Sequence, residues 1–479
     1  MPRQVLIIHG WSDTSKSFHS LADFLNTHGF KVTELWLGDY ISMDDDVRVA
    51  DVGKRMGQVI DEMIASNKLA SSFDVIVHST GGLVVREWLT KKYQGAADRC
   101  PMKRQIMLAP ANYGSKLAAI GKSMLGRIVK GYNNWFHTGT AMLNDLELGS
   151  PYQLELVQRD ILIAPGDTNN DRYYGEDRVW PFVIVGTHPY PSLLRQIVNE
   201  NGADGTVRVC AANLNAQGVT IDFRETDIQR AMQPWGSRLD GFSIPLAVLP
   251  TRTHGSIVDP DRADSDNQED IDETSDEKAQ LGNLILQALT CNDFLTYKDM
   301  QVKWDLLTEN TASLHSRPSI AEPDIYHQYM QANFSVTDDY GQFVTDYFLE
   351  FFSNTRKAND NANVFLHKSV IEDVKVNSQN AAMRNIYFDR TDLVEGYYPQ
   401  VPGAADPVLY LSISAASPGK NINYFESERV GAELQVPIHC EGDITQRWLK
   451  KNSTHFVNII IPRLPNKNVF KLTRYDLVK

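Results

Sequence analysis

The segment DVIVHSTGG, residues 74–82, contains a short apolar run that leads into a serine, and two glycines follow closely after the serine. The apolar residues before the serine predict a buried strand, and the residues after it predict a helix. A serine at such a junction lies on a tight turn that exposes its hydroxyl, as in a nucleophile elbow. Ser79 is therefore the candidate nucleophile, and Gly81 and Gly82 leave room for the turn.

The same stretch is open to a second interpretation. Val77 stands two residues before the serine, where the elbow usually has a small side chain. A serine in this place can also cap the helix that begins near Thr80. If Val77 distorts the turn, Ser79 becomes an ordinary polar residue and a binding role without catalysis is favoured.

A serine nucleophile needs a base to take its proton and an acid to orient that base. His254 lies in the segment LPTRTHGSIVD, in a glycine-containing loop after an apolar run. Asp204 lies in the segment NGADGTVRV, in a turn flanked by glycines. We predict His254 as the base and Asp204 as the acid, in the chain order Ser, Asp, His.

Other residues compete for these two roles. Asp167, in the segment APGDTNND, is an alternative acid, and His188 and His78 are alternative bases. His78 precedes the nucleophile directly, so its side chain is expected to point away from the serine and to pack in the interior.

Developing negative charge on the substrate carbonyl oxygen requires preorganised backbone donors. The backbone N–H of Thr80, at the start of the predicted helix, is one candidate. The backbone N–H of Trp11 is the other, because Trp11 follows His9 and Gly10 in the loop that ends the first predicted strand.

The first 110 residues alternate between strand and helix patterns. Apolar runs predict strands at 5–8, 31–37, 73–77 and 104–110, with helical spacing between them. Strand and helix alternation of this kind predicts a mostly parallel sheet with helices on both faces. In such a sheet, ligand sites lie at the carboxyl ends of the strands, where the candidate residues follow.

Five motifs occur in the order found in α/β-hydrolase lipases and esterases: HGW, VHSTGG, LAPANYGS, ADGTVRV and THGSI. The set resembles the branch of GPI-inositol-deacylase-like and phosphatidylcholine–sterol acyltransferase-like enzymes, over about residues 5–289. The resemblance implies an α/β-hydrolase fold and acyl-ester substrates, commonly lipids. It implies Ser79, Asp204 and His254 as the catalytic triad, with Trp11 and Thr80 as oxyanion donors.

The domain organisation follows from changes in composition. We predict a catalytic domain over 1–291, with a cap at about 111–160 and an acidic loop at 259–278, where the composition is that of a solvated linker. Beyond 292 the short β-branched and aromatic runs predict a β-rich, sandwich-like domain over 292–479. This second region has no readable catalytic constellation.

Charge and hydropathy restrict the partners. The net charge of −13 argues against a nucleic-acid partner. No run resembles a signal peptide or a membrane span, so we expect a cytoplasmic protein or one peripheral to a membrane, with signal-independent secretion left open. The segment 116–143 mixes apolar and basic residues, which fits either a lid that contacts a membrane transiently or a permanently packed cap helix.

The predicted chemistry is serine carboxylester hydrolysis of the lipase or phospholipase type, through an acyl-enzyme and without a cofactor. The segment 167–178 starts like a calcium loop but has Arg172 and Arg178 at positions that the loop requires to be Gly and Glu, so no metal is expected. A thioesterase, amidase or acyltransferase using the same triad, and a non-catalytic binding protein, are the alternatives. The sequence leaves the oligomeric state undetermined.

Overall fold

The computed structural model describes residues 4–10, 18–30, 35–39, 44–118, 139–190, 199–225, 227–260, 280–401, 409–425, 436–438 and 449–474. By their contacts, the residues form two compact units. The first unit consists of Met1–Gln217, Gly236–Gln331 and Lys451–Thr454, and the second consists of Gly218–Trp235, Ala332–Lys450 and His455–Lys479.

The first unit is built on a six-stranded sheet. The strands of the first 250 residues are β1 Gln4–Ile8, β2 Leu35–Gly38, β3 Phe73–His78, β4 Met102–Leu108, β5 Leu162–Ile163, β6 Trp180–Gly186, β7 Gln217–Asp222, β8 Met232–Pro234, β9 Gly236–Ser237 and β10 Leu246–Leu249. The sheet has the order β10-β6-β4-β3-β1-β2, and all five pairs of neighbouring strands are parallel. The predicted parallel sheet is thereby confirmed, and every residue of its central strand β3 is buried.

Helices connect these strands. They are α1 His19–Thr27, α2 Val49–Ala65, α3 Gly81–Lys92, α4 Thr140–Leu146, α5 Pro151–Asp160, α6 Val209–Ala212, α7 Ile228–Ala231, α8 Gln280–Thr290 and α9 Phe294–Ala312. Among the described residues, no helix has the length and apolar character that a membrane span requires.

Helix α9 begins just beyond the predicted start of the β-rich region. Thr308 donates its hydroxyl to the carbonyl oxygen of Leu246, and Thr311 donates to that of Val248, so α9 is bonded to strand β10 of the first unit. Its amphipathic pattern is weak, which explains why the sequence did not indicate a helix here.

A buried ion pair holds α3, the helix after Ser79, against α5. The Arg86 guanidinium donates two hydrogen bonds to the Asp160 carboxylate, at 2.7 and 3.0 Å, and a third to the carbonyl oxygen of Asn112 at 3.0 Å. Neither charged side chain of the pair is exposed to solvent. Because a bidentate pair fixes both distance and orientation, it sets the position of α3 beneath the site.

The second unit is rich in β-strands. They are β11 Tyr329–Asp338, β12 Tyr347–Phe352, β13 Ile371–Val376, β14 Met383–Asp389, β15 Leu409–Ala415, β16 Ile422–Tyr424, β17 Val436–Ile438, β18 Thr454–Ile461 and β19 Arg463–Pro465. A six-stranded sheet has the order β13-β14-β11-β18-β7-β8, and a three-stranded antiparallel sheet has the order β12-β15-β17. Phe351 of the smaller sheet contacts Phe334 and Phe388 of the larger one, which gives the predicted sandwich-like packing.

Asp145, in α4, accepts a hydrogen bond from the Val49 N–H at the start of α2. Burial raises the pKa of this carboxyl to about 6. The pKa in the unfolded chain is lower, near 4. The Asp145 carboxyl therefore binds its proton more tightly in the folded state than in the unfolded chain. Its negative charge lowers the free energy of unfolding above pH 6, whereas below pH 4 the carboxyl is neutral in both states and there is no such cost.

We expect Asp145→Asn to stabilise the protein at pH 8 by roughly 1–3 kcal/mol, because the amide keeps an acceptor oxygen without the charge. The gain should shrink towards zero at pH 4. Thermal unfolding at pH 4, 6 and 8 measures this, and Asp23→Asn, at an exposed position of α1, controls for the loss of one negative charge. An equal gain at all three pH values would contradict the prediction.

Candidate active site

Ser79 lies on a strained turn between β3 and α3. Its φ angle is +53°, a left-handed conformation that non-glycine residues seldom adopt. The turn is held on both sides, since the Ser79 N–H donates to the carbonyl oxygen of Leu108 and the Ser79 carbonyl accepts from the N–H of Ala111. Strain of this kind persists only where the surrounding structure enforces it.

Two glycines allow other backbone segments to approach this turn. A Cβ on Gly10 would lie 2.5 Å from the Ser79 Cβ, and a Cβ on Gly81 would lie 3.0 Å from the carbonyl oxygens of Ile8 and His9. Val77, which departs from the usual elbow pattern, is fully buried in β3. The turn therefore forms with valine in this position, and the doubt that the sequence raised about its geometry is removed.

The structure brings together the three side chains that the sequence proposes as a triad. The His254 ring lies with Nε2 3.1 Å from the Ser79 Oγ and with Nδ1 2.8 Å from the Asp204 Oδ2. An ionised carboxylate can only accept, so Nδ1–H donates to Asp204 and Nε2 is left to accept from the serine hydroxyl. This is the tautomer that a general base needs.

The Asp204 carboxylate is fully buried and is oriented by its own turn. Its Oδ1 accepts from the backbone N–H groups of Thr206, at 3.0 Å, and Val207, at 2.7 Å. Its Oδ2 is thereby directed to His254, whose backbone N–H also donates to the Asp204 carbonyl at 2.8 Å. The acid and the base are thus joined through both side chain and main chain.

Of the two predicted oxyanion donors, the structure describes one. Thr80 is buried immediately before the first residue of α3, where backbone N–H groups have no partner within the helix. Thr80 also lines the cavity beside Ser79. Trp11 lies outside the described residues, although the adjoining Gly10 lies against the nucleophile.

The cavity beside the Ser79 hydroxyl is small and mainly apolar. Its volume is about 20 Å³, enough for about one water molecule. Leu117, Leu143, Leu146 and Val207 are among the apolar residues that line it. Of the segment 116–143, predicted as lid or cap, residues 119–138 lie outside the described part of the chain.

The competing acid and bases lie elsewhere or have other partners. The Asp167 carboxylate accepts a hydrogen bond from the guanidinium of Arg238 at 2.5 Å. The backbone N–H of His188 donates to the carbonyl oxygen of Arg252. Within the described part of the chain, neither side chain is hydrogen-bonded to Ser79, whose hydroxyl lies against His254.

His78 contacts the candidate base, which the sequence did not indicate. Its Nε2–H donates to the carbonyl oxygen of His254 at 3.0 Å, and the two rings lie 4.7 Å apart. Burial, followed by repulsion from His254, holds the pKa of His78 well below its usual value. A neutral His78 can thus support the loop of His254 without adding charge beside it. The sequence predicted only that His78 packs in the interior, and it is buried.

We expect His78→Leu to lower kcat/KM for a soluble ester about tenfold to a hundredfold, because it leaves the buried His254 carbonyl without its donor. His78→Gln, whose amide can donate to the same oxygen, should recover most of that loss. Steady-state kinetics measure both variants, and thermal unfolding shows how much folded enzyme is present. Equal loss in the two variants would mean that the hydrogen bond does not matter.

No family model matches this sequence, and none of the curated proteins matches it. Two solved structures of phospholipase PlaB from Legionella pneumophila, one in complex with thio-NAD, are similar to it. Each is 24% identical to this chain, with a TM-score of 0.75. The match with PlaB alone covers 99% of this chain and 97% of the PlaB chain. The match with the thio-NAD complex covers 98% of this chain and 96% of the PlaB chain. The mature lipase BlEst2 of Bacillus licheniformis is 16% identical over 44% of this chain and 79% of that one, with a TM-score of 0.31.

The likeness to PlaB extends over nearly the whole of both chains and concerns the fold. Together with the parallel sheet, it confirms the fold class predicted from the sequence, an α/β-hydrolase sheet with helices and a β-rich C-terminal region. The narrower resemblance to GPI-inositol-deacylase-like and phosphatidylcholine–sterol acyltransferase-like enzymes stays a prediction.

Proposed function

We propose that this protein is a serine carboxylester hydrolase of the lipase or phospholipase type. The observation that carries the proposal is the continuous set of hydrogen bonds from Asp204 through His254 to Ser79. The conformation of Ser79 supports it, because strained residues are concentrated at catalytic sites. That PlaB, with a similar fold, is named a phospholipase agrees with this choice of substrate.

The reaction begins when Ser79 Oγ attacks the acyl carbonyl carbon and its proton passes to His254 Nε2. Asp204 remains ionised and stabilises the imidazolium through Nδ1–H. The backbone N–H groups of Thr80 and Trp11 stabilise the oxyanion. The imidazolium then protonates the departing alcohol, which leaves the acyl group on Ser79.

Water completes the cycle by the reverse sequence of proton transfers. His254 Nε2 takes a proton from the water that attacks the acyl-enzyme, and returns it to the Ser79 oxygen as the fatty acid leaves. No cofactor is needed for these steps. The cavity beside Ser79 is lined mainly by apolar side chains, so the immediate surroundings of the hydroxyl favour an apolar substituent of the ester over a charged one.

Other acyl-transfer reactions on the same three side chains remain the second candidate class. Thioester or amide hydrolysis and acyl transfer to an alcohol share the acyl-enzyme and differ only in the leaving group or the acceptor. The non-catalytic alternative has less support, because the turn at Ser79 forms despite Val77. Membrane contact through the segment 116–143 stays a prediction.

The proposal predicts that Ser79→Ala abolishes both labelling by a fluorophosphonate probe and hydrolysis of phospholipid vesicles, because the attacking oxygen is gone. Mass spectrometry of the lipid products measures hydrolysis and identifies the bond cleaved. Ser66→Ala, at an exposed serine near the end of α2, is the matched control and should behave as wild type. Wild-type protein that is folded but not labelled would overturn the proposal.

We further expect Asp204→Asn to lower kcat about 10³- to 10⁴-fold with KM little changed, because an amide at this place favours the wrong tautomer of His254. Initial rates with p-nitrophenyl esters of increasing chain length measure both parameters. Asp167→Asn tests the competing acid and should leave kcat within about threefold of wild type. A larger effect at Asp167 than at Asp204 would reverse the assignment.

A further inference from the structure

A second cavity lies between helix α2 and strands β1 and β2. Its volume is about 410 Å³, within the range of small-molecule binding sites, which is roughly 300–1,000 Å³. It shares no lining residue with the cavity beside Ser79. Helix α2 packs on α3, where Gly57 lies against the Trp88 indole, and the apolar face of α2 borders this space.

The walls of this cavity are almost wholly aliphatic. The apolar side chains lining it are Leu6, Ile8, Val47, Val52, Met56, Val59, Ile60, Met63 and Val84. No aromatic ring is present among the described residues that line it, so nothing there would stack on a planar ligand. Methionine side chains adapt to ligands of varied shape, and unbranched hydrocarbon is the chemistry that such walls match.

The charged groups that line this cavity are exposed and mark its mouth. They are Asp39, next to the carboxyl end of β2, and Asp51 and Arg55 on the first turns of α2. The Arg55 guanidinium pairs with Glu62 at 3.1 Å, and the Asp39 carboxylate lies 3.1 Å from His9 Nε2. Two carboxylates and one guanidinium line the mouth, an excess of negative charge that disfavours the anion of a fatty acid and favours a head group with a cationic part.

We propose that this cavity binds the hydrocarbon chain of a single-chain amphiphile with a zwitterionic head group. The site is separate from the catalytic one and requires no bond-making step. Its mouth lies at the carboxyl ends of the strands, the same edge of the sheet that presents Ser79. A lipid held there would be a second lipid bound beside the reacting one.

The test uses the full-length Ser79→Ala protein and dodecylphosphocholine, which has a twelve-carbon chain and no ester bond. Isothermal titration below the micelle-forming concentration should give saturable binding at one site. Val59→Trp, which fills the cavity, should weaken the binding at least tenfold. Lys54→Trp places the same side chain at an exposed position of α2 and should leave the affinity within twofold.

Dodecanoate tests the head group, and we expect it to bind at least tenfold more weakly than dodecylphosphocholine. Asp39→Asn keeps an acceptor oxygen for His9 and should bring the affinities for the two amphiphiles closer together. Binding that is unchanged in folded Val59→Trp, or lost in folded Leu143→Trp beside Ser79, would overturn the proposed location. Equal binding of the two amphiphiles would overturn the proposed head group.

Because the binding is measured without the nucleophile, its failure leaves the proposed hydrolysis untouched. Conversely, a chain that binds dodecylphosphocholine at this site but fails to hydrolyse any ester would retain the second site and lose the proposed enzymatic function. The two results are therefore read independently from the same set of purified variants.

Discussion

The backbone of Ser79 is held in the left-handed conformation, and the site depends on this constraint. An L-residue gains nothing locally from φ near +53°, so the surrounding contacts must outweigh the strain. Strand β3 is buried throughout and paired on both sides, which fixes the point where the chain must turn. The bond from Ser79 N–H to the end of β4 and the ion pair of Arg86 with Asp160 hold the two arms of the turn.

The candidate base depends on the same principle of support from distant segments. His254 is fixed at its ring by Asp204 and at its backbone by both Asp204 and His78. These bonds are buried, where an unmade hydrogen bond is costly, so the loop has little freedom to move the imidazole away from Ser79. Neutral His78 supports the backbone of His254 without adding a charge beside it. The Asp204 carboxylate faces Nδ1 of His254, the ring nitrogen that must keep its proton.

The two cavities of the first unit differ in volume by about a factor of twenty. The cavity beside Ser79, about 20 Å³, has room for about one water molecule. The cavity between α2 and the sheet, about 410 Å³, could contain most of a hydrocarbon chain. Both are lined mainly by aliphatic side chains, and both lie near the carboxyl ends of the strands. Under the proposed function, the larger cavity would hold one chain while another is cleaved at Ser79.

The first four strands of the parallel sheet were predictable from sequence, because continuous apolar runs report burial. The candidate triad was predictable because Ser79, Asp204 and His254 lie in segments with local turn signals from glycine. Local pattern also determined that the C-terminal part is β-rich. Only the tertiary structure decided that the triad side chains meet, that His78 supports the base, that α9 is bonded to β10, and that α2 leaves a cavity. These are contacts between residues far apart in the chain, and periodicity records which face of an element is buried but not against what it packs.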